Sequence, residues 1–454
     1  MAYEVASVRL YGRPAGVLRA APDGKLEFEY TRSWVKDHLA GVTTAHALSF
    51  SLPVRSEVYG WEATGPFFGG LLPENVNNRR ALARRLRIDS RDDFRLLIAL
   101  GRDCPGALSI VDPEEPVAPE TRIRPEYSVL DETELAKLIE DLPARPLFID
   151  ADGDLRLSLA GVHDKAALLR VGGKAAIPTG KTPTTHILKV DINGLPDSAR
   201  VENYCLKLAA ELGIDVPKSD ILSARGIPYL LLSRYDRVIG RDESGQYLRR
   251  LHQEDFCQAL GRFPAQKYEK TGGPSWTECF DLARRLADPG KSVDALLRRV
   301  IFQYLINNPD AHAKNYALVY GGSGVQISKL YDVNNAAAFR SRFKETRPRM
   351  AMSIGGELDP TKLTLRHWAQ FAEEVRLRPE PVMEALSNMA IEMPEKALAL
   401  RESFKGTLAD SDLLDLVVED VGLRCSIVRS ILNRAEVSGR PRPDSDFITP
   451  GGNY

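Results

Sequence analysis

Asn307-Asn308-Pro309-Asp310-Ala311-His312-Ala313-Lys314-Asn315 is the stretch that decides the fold of this 454-residue chain. It leaves an amphipathic helical segment, residues 293–308, through a proline. It then enters a hairpin predicted over 316–320 and 325–330, joined by Gly321-Gly322-Ser323-Gly324, after which stand Tyr331 and Asp332. Phosphoryl transfer needs an aspartate to orient or deprotonate the acceptor hydroxyl, an amide oxygen on a divalent metal, and a second aspartate bridging metal and phosphates. Kinase catalytic loops set the asparagine five residues after the catalytic aspartate and the metal aspartate one hairpin later. Asp310 and Asn315 have that spacing, and Asp332 has that place. An isolated Asp or Asn in a polar loop is usually a turn residue or helix cap. Spacing, order and hairpin together outweigh that reading here.

Upstream, residues 155–158, 166–171, 174–177, 185–190 and 229–234 read as strands, with Gly172-Gly173 as a hairpin turn. A helix follows over 201–212, its apolar positions on one face and Gly213 closing it. In Thr185-His186-Ile187-Leu188-Lys189-Val190, Lys189 is a lone cation in an otherwise apolar strand, suited to pairing with nucleotide phosphates. A surface lysine is the ordinary alternative. Glu202, one turn into the next helix, is placed to be its partner. No Gly-x-Gly-x-x-Gly occurs. The nearest substitute is Ser158-Leu159-Ala160-Gly161-Val162-His163-Asp164-Lys165, a turn whose N–H groups would cradle phosphates. Ser233-Arg234-Tyr235-Asp236-Arg237 joins two lobes, where adenine meets backbone in kinases. Downstream the segments 253–260, 276–286, 367–375, 380–390 and 413–432 read as helices. The expected fold is α+β: a bilobal, protein-kinase-like arrangement of a small β-rich lobe and a large helical lobe, preceded by an N-terminal α/β domain.

That N-terminal part opens with strands at 5–10, 16–19 and 26–30, then helices at 75–87 and 92–101. An acidic, proline-rich stretch with one helix at 132–141 marks the best boundary. The expected division is therefore 1–112 as N-terminal domain, 113–146 as linker, 147–236 as small lobe, 237–438 as large lobe and 439–454 as tail. An apolar content of 43% excludes wholesale disorder, and a net charge of −1 excludes nucleic-acid binding by bulk positive charge. No apolar run approaches the ~20 residues that span a bilayer, so no membrane partner is expected. The N-terminus carries no secretory h-region, and five scattered cysteines without a Cys-x-x-Cys pair point to a reducing cytoplasm. His312 lies two residues past Asp310, but no His-x-x-x-His occurs and a hydrogen-bonding role suits it better than zinc. Residues 340–349 hold five basic residues against one acid, a grip for an acidic partner or simply a solvated loop.

These segments together resemble the HipA-type toxin kinases of bacterial type II toxin–antitoxin modules. The likeness rests on Phe67-Phe68-Gly69-Gly70-Leu71-Leu72-Pro73-Glu74, Gly101-Arg102-Asp103-Cys104-Pro105-Gly106-Ala107-Leu108, Ser158 to Lys165, Pro183 to Lys189, Gln253-Glu254-Asp255-Phe256-Cys257-Gln258, Asp310 to Asn315 and Ala351-Met352-Ser353-Ile354. The resemblance implies an ATP- and Mg²⁺-dependent serine/threonine protein kinase. By motif, Asp310 would be catalytic, Asn315 and Asp332 the Mg²⁺ ligands, and Lys189 the phosphate-pairing lysine. Ala160, Gly161, Val162, His163, Asp164 and Lys165 would form the phosphate loop, and Ser233, Arg234 and Tyr235 the adenine hinge. His312, Ala313, Lys314 and Tyr331 would line the nucleotide site, with Lys314 near the transferred phosphate. Ser158 matches a serine that family members autophosphorylate to switch themselves off. The implied substrate is a translation component, typically an aminoacyl-tRNA synthetase, and the output is growth arrest. The implied partner is a HipB-like helix-turn-helix antitoxin, through which operator DNA is mainly met. Ala311 stands where glycine is frequent, and His163-Asp164 where Gln-Glu is common, so the phosphate loop is expected to be tuned differently. A small-molecule phosphotransferase of kinase-like fold and a non-catalytic scaffold in an antitoxin–operator complex are the alternatives.

Overall fold

A computed structural model describes residues 4–117, 122–142, 165–342 and 349–437. The N-terminal domain is an antiparallel sheet of β1 (Glu4–Leu10), β2 (Arg13–Ala20), β3 (Leu26–Tyr30) and β4 (Leu108–Val111), in the order β3-β2-β1-β4. In β3 the alternation Leu26, Phe28, Tyr30 points inward, as a period of two requires. Helices α1 (Arg32–Leu39), α2 (Trp61–Gly69), α3 (Val76–Leu86) and α4 (Asp93–Leu100) lie between β3 and β4 in sequence, with Trp34, Phe67, Phe68 and Leu97 in the shared core. Asn75 caps α3 by accepting from the Asn77 and Asn78 amides, and Asp92 caps α4 by accepting from Arg95. The strands and helices expected in this region are present within one to three residues of their predicted ends.

The small lobe is a six-stranded antiparallel sheet ordered β5-β7-β6-β8-β10-β9. Its members are β5 (Tyr127–Val129), β6 (Lys165–Val171), β7 (Lys174–Pro178), β8 (His186–Lys189), β9 (Ser219–Ala224) and β10 (Ile227–Ser233). Two helices belong to it, α5 (Glu132–Asp141) and α6 (Ser198–Glu211). Within the stretch expected as a linker, described residues 127–141 add a strand and a helix to this lobe. β5 pairs with β7, and α5 turns Leu135, Ala136, Leu138 and Ile139 onto Ala166, Leu168, Leu188 and Leu231 of the sheet. That apolar face recurs at three- and four-residue spacing, so its burial on the sheet follows from the sequence. The strand expected at 155–158 lies outside the described residues.

The large lobe also differs from expectation at its start. Residues 237–250, ahead of the first helix expected there, form a hairpin of β11 (Arg237–Asp242) and β12 (Gly245–Arg250). The helix expected over 253–260 divides into β13 (His252–Asp255) and the single turn α7 (Phe256–Ala259). β13 pairs with β14 (Ala317–Gly321), which pairs with β15 (Gly324–Ile327), so a non-local partner holds it extended. The helices are α8 (Trp276–Ala283), α9 (Pro289–Leu305), α10 (Leu365–Glu374), α11 (Pro379–Phe404) and α12 (Leu413–Val437). α11 runs well past the expected end at 390 and through Pro394. An interior proline costs roughly 3 kcal/mol. Burial of Met389, Met393, Ala397 and Phe404 in the main core offsets it.

A buried ionic cluster joins the N-terminal domain to the lobes. Asp103 accepts from the Thr184 amide and hydroxyl at 3.1 and 2.7 Å and pairs with Arg237 at 2.7 Å. Asp236 accepts from the Gly106 amide at 2.7 Å and pairs with Arg234 and Arg237 at 2.8 Å each. Gly106 has φ +79°, and a Cβ there would stand 2.6 Å from the Gln253 amide nitrogen, so this crossing requires glycine.

Candidate active site

The decisive loop is shaped from its first residue. α9 ends at Leu305, and Asn307 follows with φ 59°, the left-handed conformation asparagine tolerates at a helix C-terminus. Asp420 and Arg424 of α12 hold its side chain at 2.8 and 2.7 Å. Pro309 then prevents a return to helix. His312 donates its amide to the Asp310 carbonyl at 2.8 Å, and Asn315 its amide to the His312 carbonyl at 2.8 Å. The Asn315 Nδ2 donates to the Asp310 carbonyl at 2.7 Å, which leaves its Oδ1 free to face a cation. Across the hairpin, Asp332 adopts φ 53°, and its carboxylate bonds the Lys189 ammonium.

Lys189 sits on β8, and its Nζ lies 2.7 Å from Glu202 Oε1 on α6. Burial works against its charge, but Asp332 and Glu202 outweigh it and hold the ammonium protonated far above the ordinary lysine range. Lys165 is the register partner of Lys189 on β6. Two lysines therefore stand side by side on the face toward Asp332. Burial is the main cause that lowers Lys165 from 10.5 to about 8, despite the nearby Asp332 carboxylate.

These groups line one cleft of about 540 Å³, with Asp310, His312, Lys314, Asn315, Tyr331 and Asp332 on one side and Lys165, Lys189, Ser233 and Tyr235 on the other. The hinge differs from expectation in one respect. Both the Ser233 and Arg234 amides are already bonded, to the Lys218 and Thr185 carbonyls at 2.8 and 2.9 Å. The Arg234 side chain is buried in the cluster with Asp103 and Asp236, so only its carbonyl is left for a ligand. Tyr235 and Tyr331 stack at 5.8 Å and 21°, which makes a flat aromatic wall at the hinge. Lys314 lines the cleft, but its Nζ is held 2.5 Å from Asp255 and 3.7 Å from Glu74. Its charge is thus matched by protein carboxylates within the cleft where the resemblance sets it near the transferred phosphate. Ala313 is fully buried below it. His312 is buried, which lowers its pKa, and its Nδ1 has no partner among the described residues.

Ser158 and residues 160–164, expected as the autophosphorylation site and phosphate loop, lie outside the described residues, as does most of the basic stretch 340–349. Four groups in the cleft, Glu74, Asp255, Lys267 and Tyr268, had no expected role. Glu74 reaches in from the N-terminal domain and binds Lys267 at 2.8 Å, and Tyr268 donates to Asp310 Oδ1 at 2.5 Å. Glu74 and Asp255 sit in motifs already quoted, whereas nothing in the local sequence marks Lys267 or Tyr268. Asn315 Oδ1 and the Asp332 carboxylate are hard oxygen donors beside two lysines, a set that fits a magnesium ion carried mainly by nucleotide phosphates. Among the described residues no three His, Cys, Asp or Glu side chains cluster as a closed metal site. No helix among them is long and apolar enough to cross a membrane.

Comparison with known proteins extends over both halves. A family model described as the HipA-like C-terminal domain matches residues 157–397, and one described as the HipA N-terminal domain matches residues 6–111. A Sinorhizobium fredii protein provisionally named kinase Y4mE is 35% identical over 431 residues, covering 94% of this chain and 99% of its own. The serine/threonine-protein kinase toxin HipA of Shewanella oneidensis is 31% identical over 347 residues, 72% of this chain and 75% of that one. A solved complex of Shewanella oneidensis HipA with HipB and its operator DNA superposes with a TM-score of 0.78 at 26% identity, covering 95% of this chain and 99% of that chain.

Proposed function

Because the chain belongs to the HipA family of serine/threonine toxin kinases, we propose that the cleft between its lobes binds ATP with Mg²⁺ and delivers the γ-phosphoryl group to a protein hydroxyl. One observation carries this reading. Asp310, Asn315, Asp332 and Lys189, drawn from a loop, a post-hairpin segment and a strand far apart in sequence, converge on one cavity.

In this reading Lys189, fixed by Glu202, meets the nucleotide phosphates, and Lys165 adds a second positive charge beside it. Asn315 Oδ1 and the Asp332 carboxylate hold the metal, which when bound neutralises charge developing on the transferred phosphoryl group. Asp310, at the cleft mouth, accepts the proton of the incoming hydroxyl as the new O–P bond forms and the bond to ADP breaks. The Tyr235–Tyr331 wall supports the adenine, with the Arg234 carbonyl and the Tyr235 backbone as its hydrogen-bonding edge. His312, whose Nδ1 is buried without a partner among the described residues, backs the cleft beside Asp310 and packs edge-on to Tyr268.

We extend the proposal to regulation and partners. Ser158 is the self-inactivation site, since a phosphate of nearly two charges there would compete with the nucleotide for the neighbouring loop. A HipB-like antitoxin neutralises the kinase, and operator DNA is met mainly through it. The Shewanella complex supports this, and a net charge of −1 leaves little bulk attraction for DNA. The substrate is a translation component, with an aminoacyl-tRNA synthetase the first to try. The test is to incubate the full chain with labelled ATP and a bacterial lysate, then map phosphopeptides by mass spectrometry. Label on a protein serine or threonine is expected. Label confined to a small molecule, or no transfer at all, overturns the proposal.

A further inference from the structure

Three consecutive residues, Lys267, Tyr268 and Glu269, each reach a different part of the molecule. Lys267 Nζ pairs with Glu74 of the N-terminal domain at 2.8 Å, while its carbonyl accepts from the Ala313 amide of the decisive loop at 3.3 Å. Tyr268 donates its hydroxyl to Asp310 Oδ1 at 2.5 Å. Glu269 accepts from the hydroxyl of Ser353 at 3.0 Å and from its amide, and donates its own amide to the Ala351 carbonyl at 3.2 Å.

The backbone of the middle residue is held independently of its side chain. The Tyr268 carbonyl accepts from the amides of Thr271 and Gly273 at 2.9 and 3.0 Å. That turn closes only on glycine: a Cβ at Gly273 would lie 2.5 Å from the Gln266 carbonyl oxygen and 2.7 Å from that of Tyr268. The ring itself stands edge-on to His312, centroids 5.2 Å apart at 89°. The phenol is therefore anchored from three sides before it meets the aspartate.

The Asp310 side chain is 56% exposed and sits on a loop, where a carboxylate on two rotatable bonds would otherwise sample several rotamers. Burial, and then the adjoining Asp310 carboxylate, raise the Tyr268 phenol well above its ordinary range, so it remains a donor at any physiological pH. A permanent donor on Oδ1 leaves Oδ2 as the oxygen available to an acceptor hydroxyl.

We infer that Tyr268 is a positioning residue that fixes the rotamer of Asp310, and that Lys267 and Glu269 clamp it between the N-terminal domain and the large lobe. The inference rests on the reading of Asp310 as the catalytic aspartate. No bond at Tyr268 is made or broken during transfer, and its proton stays on the phenol oxygen. The clamp also makes the N-terminal domain part of the catalytic apparatus, through Glu74.

The test uses full-length Tyr268→Phe, Glu269→Gln and Asp310→Asn proteins. Each is measured for phosphate transfer from labelled ATP to lysate protein and for affinity toward a non-hydrolysable ATP analogue with Mg²⁺. Tyr268→Phe should lower the transfer rate about tenfold or more, while analogue affinity stays within about twofold. Glu269→Gln, whose side chain touches Ser353 and not the cleft's reacting groups, should act in the same direction by less. Wild-type transfer by Tyr268→Phe alongside an inactive Asp310→Asn overturns the positioning role and leaves the catalytic assignment standing. Equal loss of transfer and analogue affinity makes Tyr268 merely structural and also overturns it. An active Asp310→Asn overturns the catalytic assignment itself.

Discussion

The ammonium of Lys189 lies 2.7 Å from the carboxylate of Glu202, and both side chains are almost completely shielded from water. One charge comes from a central strand of the small lobe and the other from the helix that crosses it. Asp332 on the far side of the cleft completes the set. Such a pair is weak evidence for stability, because desolvation consumes much of the Coulombic gain. Its use is geometric. It fixes a cation at the depth where phosphates must enter.

Removing one member should therefore cost more than the pair contributes. Glu202→Ala is expected to lower unfolding free energy by about 3 kcal/mol, the low end for a broken buried pair, since Asp332 still faces Lys189. Urea denaturation monitored by circular dichroism measures this. A loss below ~1 kcal/mol would mean that Asp332 alone suffices to hold the Lys189 charge and that Glu202 does not fix it.

Asp310→Asn and Asp332→Asn are each expected to cut transfer more than a hundredfold, roughly 3 kcal/mol of transition-state stabilisation. Folding should survive both. Asp332 holds a left-handed backbone at φ 53°, which asparagine adopts readily and alanine does not. Asp332→Ala should then be less stable than Asp332→Asn by about 1 kcal/mol. Steady-state transfer assays beside thermal melts separate the two effects, and near-wild-type activity in either asparagine variant refutes the site.

Much of this architecture was legible because it is local. The five-residue gap from Asp310 to Asn315, the glycine turn at 321–324 and the one-sided apolar face of α6 all act over a few residues. β13 was not legible: Gln253-Glu254-Asp255 is polar, and only pairing with β14, some 60 residues on, makes it a strand. The ion-pair partners of Lys314 were not legible for a similar reason, since Asp255 and Glu74 come from distant segments. Tyr268 and Asp310 are 42 residues apart, and a tyrosine in a polar loop announces no partner. Sequence spacing finds groups that one element carries; it does not find groups that folding brings from three.

Lys165 offers a test by proton counting. Its folded pKa is lowered from 10.5 to about 8, chiefly by burial, so near pH 8.5 the free protein holds it partly neutral. Entering phosphates favour the charged form, so binding an ATP analogue near pH 8.5 should take up a fraction of a proton. Calorimetric titration in two buffers of different ionisation heat reads this directly, and Lys165→Met should abolish it. The same shift has a sign for the free protein. The unfolded chain keeps the lysine proton up to about 10.5, so this group adds stability as pH climbs from 8 to 10.5. Binding without proton uptake at pH 8.5 would place the lysine outside the phosphate field.

Glu254 gives the opposite sign at the domain junction. It lies fully buried on β13, accepting from the Tyr320 hydroxyl at 2.5 Å, from the Phe50 amide of the N-terminal domain at 3.1 Å, and from the Ser49 hydroxyl. Burial raises its pKa from 4.5 to about 7, and those three donors only partly counter it. The folded protein thus keeps this proton at pH values where the unfolded chain has released it. The group's stabilising contribution is complete below about pH 4.5 and is lost as pH rises through 7, a change of about 3 kcal/mol. Glu254→Gln cannot ionise and should lose that slope. Urea unfolding at pH 5 and at pH 8 should therefore show wild type weakening relative to the glutamine variant. Parallel pH profiles would mean that the carboxylate is charged at both, held by its donors against burial, and that the junction between N-terminal domain and β13 is indifferent to pH.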